Sequence, residues 1–189
     1  LKPGSGKILI ENEDIGKLRG RKLKRLKERF GMVFQGGALF DSLTVFENVA
    51  FPLREKTKLK ALQIRKKVCE ELAEVGLSGT ENKYPAEISG GMKKRVALAR
   101  CLVMSPEIIL FDEPTTGLDP LTGKAIHTMI RSCQKSHEFT SIMVTHEIPD
   151  IFSMVDRVAM LYNRTIHAEG TPEEIQNSKD PVIHQFIHG

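Results

Sequence analysis

Two adjacent carboxylates, Asp112 and Glu113, follow directly on the apolar run Ile108-Ile109-Leu110-Phe111. Four apolar residues without alternation suit a strand of a parallel sheet covered on both faces. The acids then stand where the strand leaves the sheet, the edge at which open α/β sheets bind ligands. Neighbouring carboxylates at such a place repel, and they are costly to desolvate unless a cation or a proton transfer uses them. A bound Mg²⁺ with an attacking water would use both. Asp112 would hold the metal, directly or through water, and Glu113 would polarise the water that attacks a γ-phosphate. The alternative is an acidic loop that merely ends a strand.

Three other places carry residues that could serve the same chemistry. Gln35 ends the short apolar stretch Phe30-Gly31-Met32-Val33-Phe34 and precedes Gly36-Gly37; facing the acids, it could ligate Mg²⁺ or orient the water. His146 follows the apolar run Ser141-Ile142-Met143-Val144. Two parallel strands would bring it to the same edge as Asp112 and Glu113, where a histidine can contact a γ-phosphate or a water, although a lone histidine is more often a satisfied structural one. Ser89-Gly90-Gly91-Met92 opens a helix whose buried stripe is Met92, Val96, Ala99 and Val103. Ser89 as N-cap, the helix dipole and the two glycines together form an anion site, or else Ser-Gly-Gly is only a flexible turn.

The elements that must position these groups follow from the spacing of apolar residues. Residues 8–11 read as a strand after a Pro-Gly-Ser-Gly turn, and the basic segment 17–29 reads as a short helix with a solvated face. Gly6-Lys7 fails the GxxxxGK[ST] pattern, because Leu1 stands where its first glycine belongs and Ile8 where its hydroxyl belongs. Residues 43–76 turn helical around Pro52, with Leu59, Leu62, Val68, Leu72 and Val75 marking a long amphipathic helix that Gly76 stops. A helix follows Pro120 to about Lys135, a hairpin turns at Asn163-Arg164, and Thr171-Pro172-Glu173-Glu174 caps a further helix. His184 and His188 are spaced four apart, which permits a metal but supplies too few ligands alone.

Composition narrows the function classes. The 189 residues suit one domain, and a formal charge of +4, from 28 basic and 24 acidic side chains, does not imply generic nucleic-acid binding. No run approaches the roughly 18 apolar residues of a membrane span, so any membrane role is expected to run through partners. Three scattered cysteines, Cys69, Cys101 and Cys133, read as reduced thiols and not as a disulfide or zinc framework.

The order of these motifs resembles the nucleotide-binding subunit of ABC transporters. Gln35 matches that family's Q-loop, Ser89-Gly90-Gly91 its signature, residues 108–113 its Walker B strand with catalytic Glu, Gly117-Leu118-Asp119 its D-loop, and His146 its switch histidine. Met92 in place of the usual glutamine, Asn48 with the segment NVAFPLRE, and the closing Gln185-Phe186-Ile187 look like the ATPase subunit of the bacterial Mla, or toluene-tolerance, lipid transporters. The resemblance implies a P-loop NTPase (RecA-like) α/β core of ABC ATPase type with an inserted helical subdomain. It divides the chain into a β-subdomain and Q-loop part at 1–41, a helical part carrying the signature at 42–104, and a RecA-like part at 105–189.

It further implies ATP and Mg²⁺ as ligands, with Glu113 as base, His146 and Gln35 beside it, and Asp112 and Gln35 on the metal. Ser89, Gly90, Gly91, Met92 and Asp119 would complete the nucleotide site across a head-to-tail homodimer. A membrane permease subunit is the implied partner, and the implied location is the cytoplasmic face of the bacterial inner membrane. The family's Walker A strand, loop and helix would precede the stretch matched by Leu1 to Ile10 and are absent here. The chain, which opens without Met, is therefore expected to be part of something longer and, by itself, to bind ATP poorly and hydrolyse it negligibly. The sheet is also expected to lack a strand beside residues 108–111. Other readings are a non-catalytic regulatory or assembly fragment, and a soluble ABC ATPase uncoupled from transport.

Overall fold

A computed structural model describes residues 5–148 and 150–188. The start of the opening turn, residues 1–4, lies outside them. Strands β3 (Phe30–Val33), β4 (Ile108–Asp112) and β5 (Thr140–Val144) form a parallel sheet in the order β3-β4-β5. Val33 pairs with Phe111 and Phe111 with Met143, so all three strands run out at the same edge. This is the expected α/β core, and its register delivers residues 34, 113 and 145 side by side.

Two expectations about this sheet fail. The apolar run of β4 is not covered on both faces: Ile109 and Phe111 are buried, while Ile108 and Leu110 are only half-buried. On that second face Met32, Ile142 and Val144 remain 45%, 56% and 60% exposed. Helix packing occupies one side only, so the unbroken run reports the parallel sheet but not its coverage. Nor is a strand missing beside β4, since β3 and β5 take both of its edges. The open place lies on the far side of β5, in a cleft bounded by Ile142 and Val144 and, across it, by Val158 and Leu161.

Before the sheet, β1 (Leu9–Ile10) and β2 (Glu13–Asp14) make a small hairpin turned by Glu11 and Asn12 at φ 50° and 65°. Glu11 is thus turn and not strand, as its left-handed backbone requires. Helix α1 (Gly20–Glu28) carries the basic segment and buries none of its residues. Its successor Arg29 holds Glu11 and Glu107, tying the hairpin to the start of β4.

Residues 43–76 form two helices. Helix α2 (Val45–Lys56) starts with a Thr44/Glu47 capping box and continues through Pro52, because Val49 and Leu53 on either side are locked in the core. It ends where the Thr57 hydroxyl donates to the Leu53 carbonyl at 2.6 Å. Helix α3 (Ala61–Glu74) buries Ile64, Val68 and Leu72, whereas Leu62 is 80% exposed and off that stripe. Gly76, at φ +69°, stops it as expected: Leu77 N–H reaches the Leu72 carbonyl at 2.7 Å and Gly76 N–H the Ala73 carbonyl at 3.0 Å.

Helix α4 (Gly90–Leu102) packs against α2, α3 and β3, and helix α5 (Pro120–His137) against α4. One core runs through all of these elements, from Val33 to Phe139. Strands β6 (Val158–Tyr162) and β7 (Thr165–Gly170) make the expected antiparallel hairpin, with Asn163 and Arg164 at φ 47° and 67°. Helices α6 (Pro172–Gln176) and α7 (Pro181–His188) close a smaller core of Ile151, Phe152, Met160, Ile175 and Ile183.

Candidate active site

Glu113 is the first residue past β4, and its backbone is held in the left-handed region at φ 45°. Such a conformation is uncommon for glutamate and persists only where surroundings impose it. Here the Glu113 N–H donates to the Val144 carbonyl at 2.9 Å, extending the β4–β5 ladder by one bond while the chain turns. The turn aims the Glu113 carboxylate at the sheet edge.

Three side chains converge on that carboxylate. Gln35 Nε2 donates to Oε2 at 3.0 Å, the Thr116 hydroxyl donates to the same oxygen at 2.8 Å, and His146 Nδ1 lies 3.1 Å from Oε1. The Thr116 hydrogen bond, then that of His146, holds the Glu113 carboxyl below its usual range. Glu113 is therefore an ionised acceptor at neutral pH. Asp112 precedes it at the end of β4, paired in register with Val144 and exposed.

The loop carrying Gln35 is fastened from below by two cations of α4. Lys94 Nζ donates to the Gln35 carbonyl, and Arg100 donates to the Gly37 and Ala38 carbonyls at 2.7 Å each. Gly37, at φ +72°, brings the turn so near α4 that an added Cβ would stand 3.4 Å from that of Ala97. Lys94 is only 8% exposed. Burial pushes its ammonium below the usual range, against the pull of the Glu147 and Glu113 carboxylates. Behind the site, the Thr115 hydroxyl donates to Glu147, and His127 Nε2 lies 3.3 Å from it.

The second group of expected residues sits at two helix starts. The Ser89 hydroxyl accepts from Met92 N–H at 3.2 Å, and Asp119 Oδ1 accepts from Thr122 N–H at 3.0 Å, so both cap their helices. The side-chain and backbone hydrogen bonds of Thr122 hold the Asp119 carboxyl below its usual range. The two starts touch: a Cβ on Gly90 would meet Leu118 at 3.5 Å, and one on Gly91 would meet the Thr122 methyl at 2.8 Å. Ser89 and Gly90 are exposed, whereas Gly91 is buried in that contact. The structure thus brings Gln35, Glu113 and His146 together, and it brings the helix starts capped by Ser89 and Asp119 against each other.

A family model described as ABC transporter matches residues 1–116. Over all 189 residues the chain is also 41% identical to the intermembrane phospholipid transport system ATP-binding protein MlaF of Haemophilus influenzae, of which it covers 72%. The chain belongs to the ABC transporter ATPase family. A second set of relatives includes the probable ribonucleotide transport ATP-binding protein mkl of Mycobacterium tuberculosis, 43% identical over 189 residues. The chain spans 53% of that protein's length. Among solved structures, cbiO1 from Clostridium perfringens, part of the ABC transporter complex cbiONQ, superposes with a TM-score of 0.85 at 36% identity, over 95% of this chain and 71% of that one. The ATP-binding cassette MJ0796, a dimer in a post-hydrolysis state bound to ADP and Pi, gives 0.78 at 32% identity, over 90% and 75%.

The ABC ATPase fold therefore accounts for the sheet, and the donor set fits Mg²⁺ as far as these residues extend. An exposed carboxylate at Asp112 and the Gln35 side-chain oxygen, whose amide nitrogen is engaged by Glu113, are hard oxygen ligands of the kind that ion takes. Sequence reasoning missed Lys94, Arg100, Thr115, Thr116 and Glu147. A signal existed for Lys94: it lies on the helix stripe of Gly91, Leu98 and Cys101, positions otherwise apolar and buried. The others answer to tertiary contacts that spacing does not encode.

Proposed function

We propose that this chain is the ATP-binding and ATP-hydrolysing subunit of a transporter for phospholipids in the bacterial envelope. What supports the reading most is the Glu113 carboxylate, ionised and aimed at the sheet edge by Gln35, Thr116 and His146. A carboxylate so held can accept the proton of an attacking water, while Gln35 and His146 fix the direction from which that water comes. Asp112 and Gln35 would hold Mg²⁺, whose contribution is to neutralise phosphate charge. The exposed His146, 64% accessible, would face the terminal phosphate.

Ser89, Gly90, Gly91, Met92 and Asp119 would serve the nucleotide of a second copy in a head-to-tail dimer. The exposure of Ser89 and Gly90 at a helix start suits that arrangement. Among the described residues no helix is long and apolar enough to cross a membrane. Attachment to the inner face of the inner membrane would therefore come through a permease, seated on the Q-loop and the helical part 42–104. The phospholipid assignment rests on the name of the Haemophilus relative; the mycobacterial name makes a ribonucleotide the competing cargo. No GxxxxGK[ST] occurs within the 189 residues, so Mg-ATP binding by them alone is expected to be weaker than micromolar by isothermal titration.

The decisive variant is Glu113→Gln in the intact-length protein. It keeps the shape and the Thr116 contact while removing the base. Binding of ATP with loss of turnover is the expected result, and retained turnover would count against the role given to Glu113.

A further inference from the structure

Helices α3 and α5 meet across three ligating side chains that the site above does not use. Glu71 and Glu74 are three apart on α3, and His137 closes α5. One donor atom of each lies within 4.8 Å of the other two. His137 Nε2 stands 2.8 Å from Glu74 Oε2 and 3.7 Å from Glu71 Oε2. The second Glu74 oxygen takes the Ser136 hydroxyl.

An ordinary ion pair explains only part of this. Nε2 carries at most one proton, and at 2.8 Å that proton belongs to Glu74; 3.7 Å is beyond a hydrogen bond. Glu71 Oε2 is screened from solvent and has no hydrogen-bond partner among the described residues, although it points at the same nitrogen. An oxygen left so is the kind of orphan that a bound ion accounts for. A cation standing where the shared proton stands would satisfy all three donors at once.

We propose that Glu71, Glu74 and His137 bind a divalent transition-metal ion, with Zn²⁺ the ion that fits. Tetrahedral Zn²⁺, with nitrogen and oxygen ligands at about 2.0–2.2 Å, places its ligands roughly 3.3 Å apart. The separations of 2.8 and 3.7 Å bracket that distance. An imidazole nitrogen with two carboxylates suits zinc better than Mg²⁺ or Ca²⁺, which prefer all-oxygen shells. The donors are sheltered, with the Glu71 and His137 side chains 15% and 18% exposed. The donor atoms that come together are those of Glu71, Glu74 and His137, so the ligands are nitrogen and oxygen. A bound ion would tie α3, in the helical part, to α5, in the RecA-like part.

The test is titration of ZnCl₂ into the chelator-treated chain by calorimetry, with a thermal melt at each zinc level. One equivalent of zinc should bind, and the melting temperature should rise with zinc. His137→Ala should weaken binding at least tenfold, and so should Glu71→Gln, which preserves shape and guards against misfolding of the first variant. The double variant His184→Ala/His188→Ala, removing a pair whose rings lie 4.6 Å apart on α7, should leave stoichiometry and affinity unchanged. Absence of binding, equal binding by Glu71→Gln, or loss of binding only in the α7 variant would overturn the proposal.

Discussion

Replacing Gly31 by Ala would place a Cβ 2.2 Å from Cys101 Sγ, with Pro106 Cγ at 3.2 Å on another side. Ordinary contact begins near 3.5 Å, so either sulfur or strand must yield by about 1.3 Å. Neither can do so cheaply. Cys101 is 9% exposed and accepts a backbone hydrogen bond from Met32, and β3 is fixed to β4 through the pairing of Phe30 with Ile108 and Val33 with Phe111. Overpacking of this kind costs about 1–3 kcal/mol, and a buried partner on a fixed strand puts Gly31→Ala near 3. For a chain of this size that is a fall of about 6–12 °C in melting temperature. The clash also predicts its own remedy. In Gly31→Ala/Cys101→Ala the new methyl occupies space vacated by the sulfur, and a double-mutant cycle from urea unfolding should show about 1.5–3 kcal/mol of favourable coupling. Because Gln35 lies four residues on, the single variant should also disturb the 3.0 Å bond to Glu113. A single variant destabilised by less than about 0.5 kcal/mol, or a cycle with additive effects, would show that β3 does not approach α4 as described.

Asn48 is wholly buried and gives its amide to the Phe40, Leu43 and Thr44 carbonyls at 3.0–3.1 Å while accepting from Phe40 N–H at 2.8 Å. Asn48→Ala strands these groups, so denaturant unfolding should register a loss of about 3 kcal/mol. Gly76→Ala forces a side chain into φ +69° and to within 3.1 Å of Arg95 Nη1; about 1 kcal/mol should be lost at the end of α3, seen as a lower thermal midpoint.

Much of the site could be read before any coordinates. The apolar runs at 108–111 and 142–144 are strands because their residues are β-branched or large, and parallel pairing then leaves Glu113 and His146 at one edge. The capped start at Ser89 and the stop at Gly76 follow from local chemistry and appear where expected. What could not be read depends on which elements lie alongside which. Coverage of one sheet face, the true flanks of β4, and the exposure of Leu62 are facts of packing, not of period. The role of Arg100 is hidden similarly: nothing in its spacing marks it until the Gly37 and Ala38 carbonyls are placed beside it. The cluster of Glu71, Glu74 and His137 joins residues more than 60 positions apart.

The central claim is that Gln35, Thr116 and His146 meet on an ionised Glu113, and an NMR titration of the Glu113 side-chain carboxyl tests it most directly. Its folded-state value is held below the 4.5 of an ordinary glutamate, first by Thr116 and then by His146. The stabilisation from this group is therefore fully present at neutral pH and is lost as pH falls through that lowered midpoint. A midpoint below 4.5 that moves upward in His146→Ala is the expected result. A midpoint at the ordinary value, unmoved by that substitution, would contradict the convergence on which the proposed role of Glu113 depends.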